Sequence, residues 1–247
     1  VDHHTYALVS DGDLMEGVAA EAASLAGHLR LGKLICLYDQ NHISLAGGTT
    51  LTFTEDVAGR FAAYGWHTKT VADGNDIEAV AAAITEAKAE TGRPSLLLVR
   101  TTIGFGSPKK QNTFGAHGTP LGDDELKATK RALGWPTEER FHLPDEAVRH
   151  FRAAVPRGEA AERAWTARLD AYATAYPAEA AEFRRVTSGK LPDGWADDLP
   201  RWKPADKPVA TRVAAGAALN ALAGRVPNIL GGSADLNPST NTALKNQ

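Results

Sequence analysis

The stretch TYALVSDGDLMEGVAAEAASLAGHLRLGKLICLYDQN, Thr5 to Asn41, contains the unit from which the rest of the chain can be read. Thr5–Val9 is a short β-branched, aromatic and apolar run, and Lys33–Tyr38 is another, so both predict strands. Between them, Val18, Ala22, Leu25, Ala26 and Leu29 recur at helical spacing and predict a helix over Glu16–Leu31, stopped by Gly32. A strand, a crossover helix and a second strand make a parallel pair. The pattern repeats with strands at Trp66–Val71 and Ser95–Thr101 and helices at Asp56–Tyr64 and Ile77–Thr91, the latter capped by Asp76. The strand runs are almost continuously apolar, which predicts an α/β fold: a parallel sheet with helices on both faces.

Beyond this region the pattern changes. Helical segments follow one another at Asp124–Leu133, Asp145–Ala154, Gly158–Ala175 and Ala178–Thr187, with no strand run between them. Leu191–Pro208, rich in Pro, Trp and Asp, reads as a traversing linker. Thr211 is expected to cap a helix over Arg212–Ala223, and Asn228–Gly231 to begin a strand. The expected organisation is therefore a sheet domain at 1–122, a helical connector and linker at 123–208, and an incomplete second α/β domain at 209–247. A chain that starts at Val1, just ahead of a strand, is expected to have its natural beginning elsewhere.

Composition narrows the function classes. A net charge of −3 supplies no basic field for nucleic acid. The single cysteine, Cys36, excludes an intrachain disulfide and suggests a reducing compartment, most simply the cytoplasm. No apolar run reaches the ~18 residues that a membrane span requires.

Ligands of parallel α/β sheets bind outside the carboxyl ends of the strands. Here the first strand is followed by Ser10-Asp11-Gly12-Asp13 and the second by Asp39-Gln40-Asn41-His42-Ile43. The fourth is followed by Ile103-Gly104-Phe105-Gly106 and a long polar loop containing His117. Asp11 offers a carboxylate, Asn41 a neutral oxygen, Gly12 a close backbone approach, and the following helix N-terminus a preference for anions. One carboxylate, one amide oxygen and a backbone carbonyl suit Mg²⁺ when phosphate oxygens and water complete its shell. An EF-hand calcium loop starting at Asp11 fails, because Met15, Glu16 and Ala22 occupy its fifth, sixth and twelfth positions. Taken alone, SDGDLMEG reads first as a strand-to-helix turn, with Asp13 a cap or surface charge.

Jointly, these residues resemble the transketolases. Asp11-Gly12 followed by Asn41 is similar to the metal–diphosphate motif of thiamine-diphosphate enzymes. Glu16-Gly17, the stretch TTIGFGSP to AHGTPLGDDE (Thr101 to Glu125) and ATR to LGGSADLNPS (Ala210 to Ser239) narrow the likeness to transketolase. Ser10 and Phe114 depart from it, standing where many members have Gly and His. The resemblance implies the thiamine-diphosphate-binding fold and transfer of a two-carbon ketol unit between sugar phosphates, as in the pentose phosphate pathway. It implies Mg²⁺, with Ca²⁺ or Mn²⁺ as substitutes, held by Asp11, Asn41 and the Ile43 carbonyl. Gly12 would bind the diphosphate and Ile103 would pack on the thiamine rings. His117 would contact the diphosphate and the reacting centre, and Glu16 and Asp235 would lie at a homodimer interface, Asp235 near the thiazolium. Arg212 and Ser239 would hold the sugar phosphate. It further implies that N-terminal and C-terminal segments, or a second chain, complete the site, and that this chain alone is inactive. Dihydroxyacetone synthase, deoxyxylulose-phosphate synthase, phosphoketolase and a non-catalytic half of a split transketolase are the competing readings.

Overall fold

The computed structural model describes residues 2–245. The chain divides into two compact units after His142.

The first unit contains, in order, β1 (Thr5–Ser10), α1 (Asp11–Met15), α2 (Gly17–His28), β2 (Leu34–Gln40), α3 (Val57–Ala63), β3 (His67–Val71), α4 (Ile77–Ala89), β4 (Ser95–Arg100) and α5 (Asp123–Ala132). The strands form one sheet in the order β1-β2-β4-β3, and every neighbouring pair is parallel. Register decides what the sheet can do. Ser10 pairs with Asp39, and Gln40 pairs with Arg100, so β1, β2 and β4 finish within a residue of one another. Their following loops leave from one edge.

Side chains alternate across the strands into two cores. On one face Cys36, Tyr38, Leu96 and Leu98 meet Leu14, Ala23, Ala26, Val57, Phe61 and Trp66. On the other, Ile35, Val71, Leu97 and Val99 meet Ala83 and Ala87 of α4. The second face is not covered throughout. α4 packs over β2, β3 and β4, and Leu8 on the edge strand β1 is left 83% exposed.

The helices refine the sequence expectation. The helix expected over Glu16–Leu31 forms as α2, Gly17–His28, and a separate short helix, α1, precedes it across a break at Glu16, whose backbone is extended. It ends at His28 rather than near Gly32, because Arg30 turns into the left-handed region (φ 51°). Gly32 serves a different need: a Cβ there would stand 2.0 Å from the Thr91 carbonyl oxygen. The buried positions of α2 are Ala23 and Ala26, whereas Val18, Leu25 and Leu29 face outward. Small residues face inward because the turn after α3 presses directly on this helix, with Trp66 Nε1 donating to the Ala23 carbonyl at 2.8 Å. Asp76 caps α4 as expected, accepting from the Ala79 N–H at 3.0 Å.

The second unit, taken by itself, holds α6 (Asp145–Arg152), α7 (Ala154–Ala175), α8 (Pro177–Thr187), α9 (Thr211–Arg225) and α10 (Asn237–Thr240). α7 starts earlier than Gly158, since Pro156 sits in its first turn, where a missing N–H costs nothing. Thr211 is the first residue of α9 and not its cap; Ala210 holds that position without a side-chain bond. The strand expected at Asn228–Gly231 does not form, and Leu230 is 96% exposed. A strand needs a neighbour for its ladder, and the described residues of this unit supply none. Among the described residues no helix is long and apolar enough to cross a membrane.

Gly27 sits where α2 meets the Tyr64–Trp66 turn, and a Cβ there would lie 1.9 Å from the Tyr64 carbonyl oxygen. Gly27→Ala should destabilise the chain by about 1–3 kcal/mol, read by denaturant unfolding. A neutral result would mean that this packing is looser than described.

Candidate functional site

At the end of β1, Ser10 and Asp13 form a capping box. The Ser10 N–H and Oγ each lie 2.8 Å from Asp13 Oδ2, and Ser10 Oγ accepts from the Asp13 N–H at 3.4 Å. The carboxylate of Asp13 is thereby committed to the cap. The helix so started, α1, has only five residues, and the longer α2 begins at Gly17, beyond the break at Glu16.

Asp11, the first residue of α1, is 1% exposed. A carboxylate so placed needs hydrogen-bond donors. The Tyr38 hydroxyl donates to Oδ1, and the His42 N–H donates to Oδ2 at 2.9 Å. The Tyr38 phenol is pushed far above its ordinary range, first by burial and then by its bond to Asp11. It therefore stays a neutral donor. His42 takes a left-handed conformation (φ 60°), which costs a non-glycine residue about 1–2 kcal/mol. Its bond to Asp11 offsets part of that cost.

Asn41, 8% exposed, lies beside this pair. Its Oδ1 accepts from the Ile43 N–H at 2.9 Å, and its Nδ2 donates to Asp39 Oδ1 at 3.4 Å. Asp39 also accepts from the Thr101 hydroxyl, and the Thr101 N–H reaches the Gln40 carbonyl at 3.3 Å. The loops after β2 and β4 are thus tied together at their roots. Ile43 continues into a narrow turn, bridged to Gly48.

The loop after β4 folds back on itself. The Ile103 carbonyl accepts from the Asn112 N–H at 2.8 Å. Gly104 has φ 64° and approaches Ala116 so closely that a Cβ would lie 2.8 Å from the alanine methyl. His117 ends a short helical turn, its N–H donating to the Phe114 carbonyl at 3.0 Å. Its Nδ1 is buried and has no hydrogen-bond partner.

The edge therefore gathers Asp11, Gly12, Asn41 and Ile43 on two adjoining loops, with Ile103 and His117 on a third loop anchored to the second. Glu16 is exposed between α1 and α2 and makes no cap bond. Arg212, Asp235 and Ser239 are exposed residues of the second unit. Among the described residues, no three His, Cys, Asp or Glu side chains are grouped to hold a metal by themselves. Tyr38, the His42 amide, Asp39 and Thr101 were not legible as site residues. One faint signal was available: Tyr38 carries the only hydroxyl in LICLYDQ.

The family profile described as transketolase, thiamine diphosphate binding domain, matches residues 1–192. The chain belongs to the transketolase family. It is 52% identical over 246 residues to the transketolase of Geobacillus stearothermophilus, covering 99% of this chain and 37% of that one. It is 51% identical over the same length to that of Nostoc sp., again covering 99% and 37%. A transketolase of Pichia stipitis, crystallised with sedoheptulose 7-phosphate, superposes with a TM-score of 0.90 at 46% identity, over 99% of this chain and 36% of that one. The Campylobacter jejuni transketolase superposes at 0.86 with 36% identity, over 100% and 37%. The chain thus spans little more than a third of these relatives. The transketolase profile extends beyond β4 through α5–α8, so the connector helices fall within its matched region.

Tyr38 and Cys36 give an alkaline signature. Both have folded-state pKa values above their ordinary 10.0 and 9.0, Cys36 pushed up to about 11 by burial. The native state then holds protons that the unfolded chain releases, so stability is complete below about pH 9 and falls as pH rises. Tyr38→Phe should remove the part of the slope that begins near pH 10 and leave the Cys36 part. Denaturant unfolding across that range reads it, and an unchanged slope would show that Tyr38 titrates normally.

Proposed function

We propose that this chain supplies the metal–diphosphate half of a transketolase site, acting in transfer of a two-carbon ketol unit from a ketose phosphate to an aldose phosphate. The observation that carries this reading is the common edge of β1, β2 and β4, where Asp11, Asn41 and the loop bearing His117 converge and are cross-linked.

The donor set fits a hard cation. It is all oxygen: the Asp11 carboxylate, the Asn41 amide oxygen and the Ile43 carbonyl would hold Mg²⁺, or Ca²⁺ or Mn²⁺ in its place. A single carboxylate cannot complete such a shell, which leaves positions for diphosphate oxygens and water. The Asn41 and Asp11 oxygens each keep a lone pair beyond the hydrogen bonds they already accept. Tyr38 and the His42 N–H fix the direction of Asp11, as outer partners of a metal ligand do. Gly12 is exposed in the first turn of α1, and its N–H would bind the diphosphate. Ile103 would pack against the thiamine rings.

When bound, thiamine diphosphate supplies the electron sink for the ketol carbon. The chain's own contribution is to bind, orient and move protons. The unpartnered His117 Nδ1 is a free donor or acceptor at the loop that would cover the cofactor, suited to contacting the diphosphate and to proton transfer at the reacting centre. Arg212 and Ser239 would hold the sugar phosphate, since a guanidinium fork matches phosphate geometry. Glu16 and Asp235 would act across a homodimer interface, to which the outward Val18 and Leu25 of α2, and Leu29 just after it, also suit the chain. The domains would be the diphosphate-binding part at 1–122, the connector at 123–208 and the start of a pyrimidine-binding part at 209–247. The setting would be the pentose phosphate pathway in the cytoplasm. With 37% of a relative's length present, cofactor binding is the function to test in this chain.

Calorimetric titration of thiamine diphosphate with and without Mg²⁺ should show metal-dependent binding. Asp11→Ala should weaken it by about 100-fold or more, because the only carboxylate ligand is removed. Binding indifferent to Mg²⁺ or to Asp11 would move the site elsewhere.

A further inference from the structure

The loop between β4 and α5 carries both Ile103 and His117, and it contains four glycines in left-handed conformations: Gly104, Gly106, Gly118 and Gly122. Glycines of this kind make a backbone easy to bend, so something must hold it. The hold comes from outside the loop. Ser107 is fully buried, and its Oγ donates to Glu125 Oε1 at 2.5 Å. The same oxygen accepts from the Lys109 N–H at 2.7 Å. Ser107 Oγ in turn accepts from the Lys110 N–H at 3.2 Å. Beside this knot, Gly106 lies so close to α5's end that a Cβ would stand 2.6 Å from Leu133 Cδ2. The Glu125 carboxyl is held below the usual carboxylate range, first by the Ser107 hydroxyl and then by the Lys109 amide, so these bonds are made to a charge.

The knot is connected to the proposed site by backbone. The Ser107 N–H donates to the Gly104 carbonyl at 3.0 Å, next to Ile103. The Lys110 carbonyl accepts from the Thr113 hydroxyl at 2.7 Å, at the start of the turn that ends in His117. A slip of Ser107–Lys110 would therefore move both residues.

We propose that Glu125 is a positioning residue that latches the Ser107–Lys110 turn to α5 and so sets where Ile103 and His117 stand, a role that rests on the thiamine diphosphate reading of the site. Glu125 touches neither cofactor nor substrate in this scheme. It acts through the loop.

Lys109 and Lys110 make the latch directly readable, because trypsin cuts after them only when the turn opens. The chain and its Glu125→Ala variant are digested under native conditions, and cuts at these two sites are timed by mass spectrometry, with and without thiamine diphosphate and Mg²⁺. Thermal midpoint and thiamine diphosphate affinity are measured alongside. Losing hydrogen bonds to a charged acceptor should raise the open population, and with it cleavage here, by about tenfold or more, with cuts in α7 and α8 unchanged. Cofactor affinity should fall several-fold, since without the latch Ile103 and His117 must be ordered at the moment of binding. In the unsubstituted chain, cofactor and metal should slow these cuts, because binding and latching are reciprocally coupled. Unchanged cleavage in the variant would overturn the latch. Faster cleavage with unaltered affinity would overturn the positioning role. An unsubstituted chain that binds no thiamine diphosphate would overturn the cofactor reading, and the positioning role with it, whatever the variant does. If Glu125→Ala melts early, Ser107→Ala removes the hydroxyl alone and carries the same readouts, with the same expected direction and the same contrary results.

Discussion

A carboxylate taken out of water at the end of a sheet strand must be given donors, or it costs several kcal/mol. Asp11 is in that position, and the rest of the site follows from how the fold meets the demand. One donor, the Tyr38 hydroxyl, comes from the neighbouring strand, and the other, the His42 N–H, from the loop after it. Both are in reach because β1 and β2 are parallel and end level, which the pairing of Ser10 with Asp39 fixes. A slip of one residue would turn Tyr38 to the opposite face and leave Asp11 with a donor missing. The buried charge and the sheet register therefore support each other.

The same logic extends to the third loop. Asp39, at the end of β2, receives the Thr101 hydroxyl, and the backbone of Thr101 bonds to Gln40. The loop that carries Ile103 and His117 is thus set at its root against the loop that carries Asn41 and Ile43, and Glu125 bonds to it farther out. The cationic partner and the diphosphate would fill the space these loops surround, taking up oxygens that the chain leaves with spare lone pairs.

The sheet was legible in the sequence because its strands are short apolar runs between turn residues, and parallel pairing follows from the intervening helices. The place of Asp11, Gly12 and Asn41 at the sheet edge was legible because they directly follow strand-like runs. What escaped was tertiary. The short helix α1 and the early end of α2 depend on backbone turns at Glu16 and Arg30. The inward face of α2 was set by the approach of Tyr64 and Trp66, which favours alanine over the larger Leu25 and Leu29. The Asn228–Gly231 run looked like a strand locally but had no partner, and a strand is not a local property. Tyr38 and Glu125 were missed for the same reason, since their bonds to Asp11 and Ser107 join residues far apart in the chain.

In the proposed site one metal ion and one diphosphate would meet at the level ends of β1 and β2. A crystal of this chain grown with Mn²⁺ and thiamine diphosphate would test it through the anomalous signal of the metal. A single strong peak is expected within coordination distance of the Asp11 carboxylate, the Asn41 side chain and the Ile43 carbonyl, with the diphosphate beside the Gly12 N–H. A peak at any other place on the sheet, or diphosphate bound away from Asp11, would contradict it.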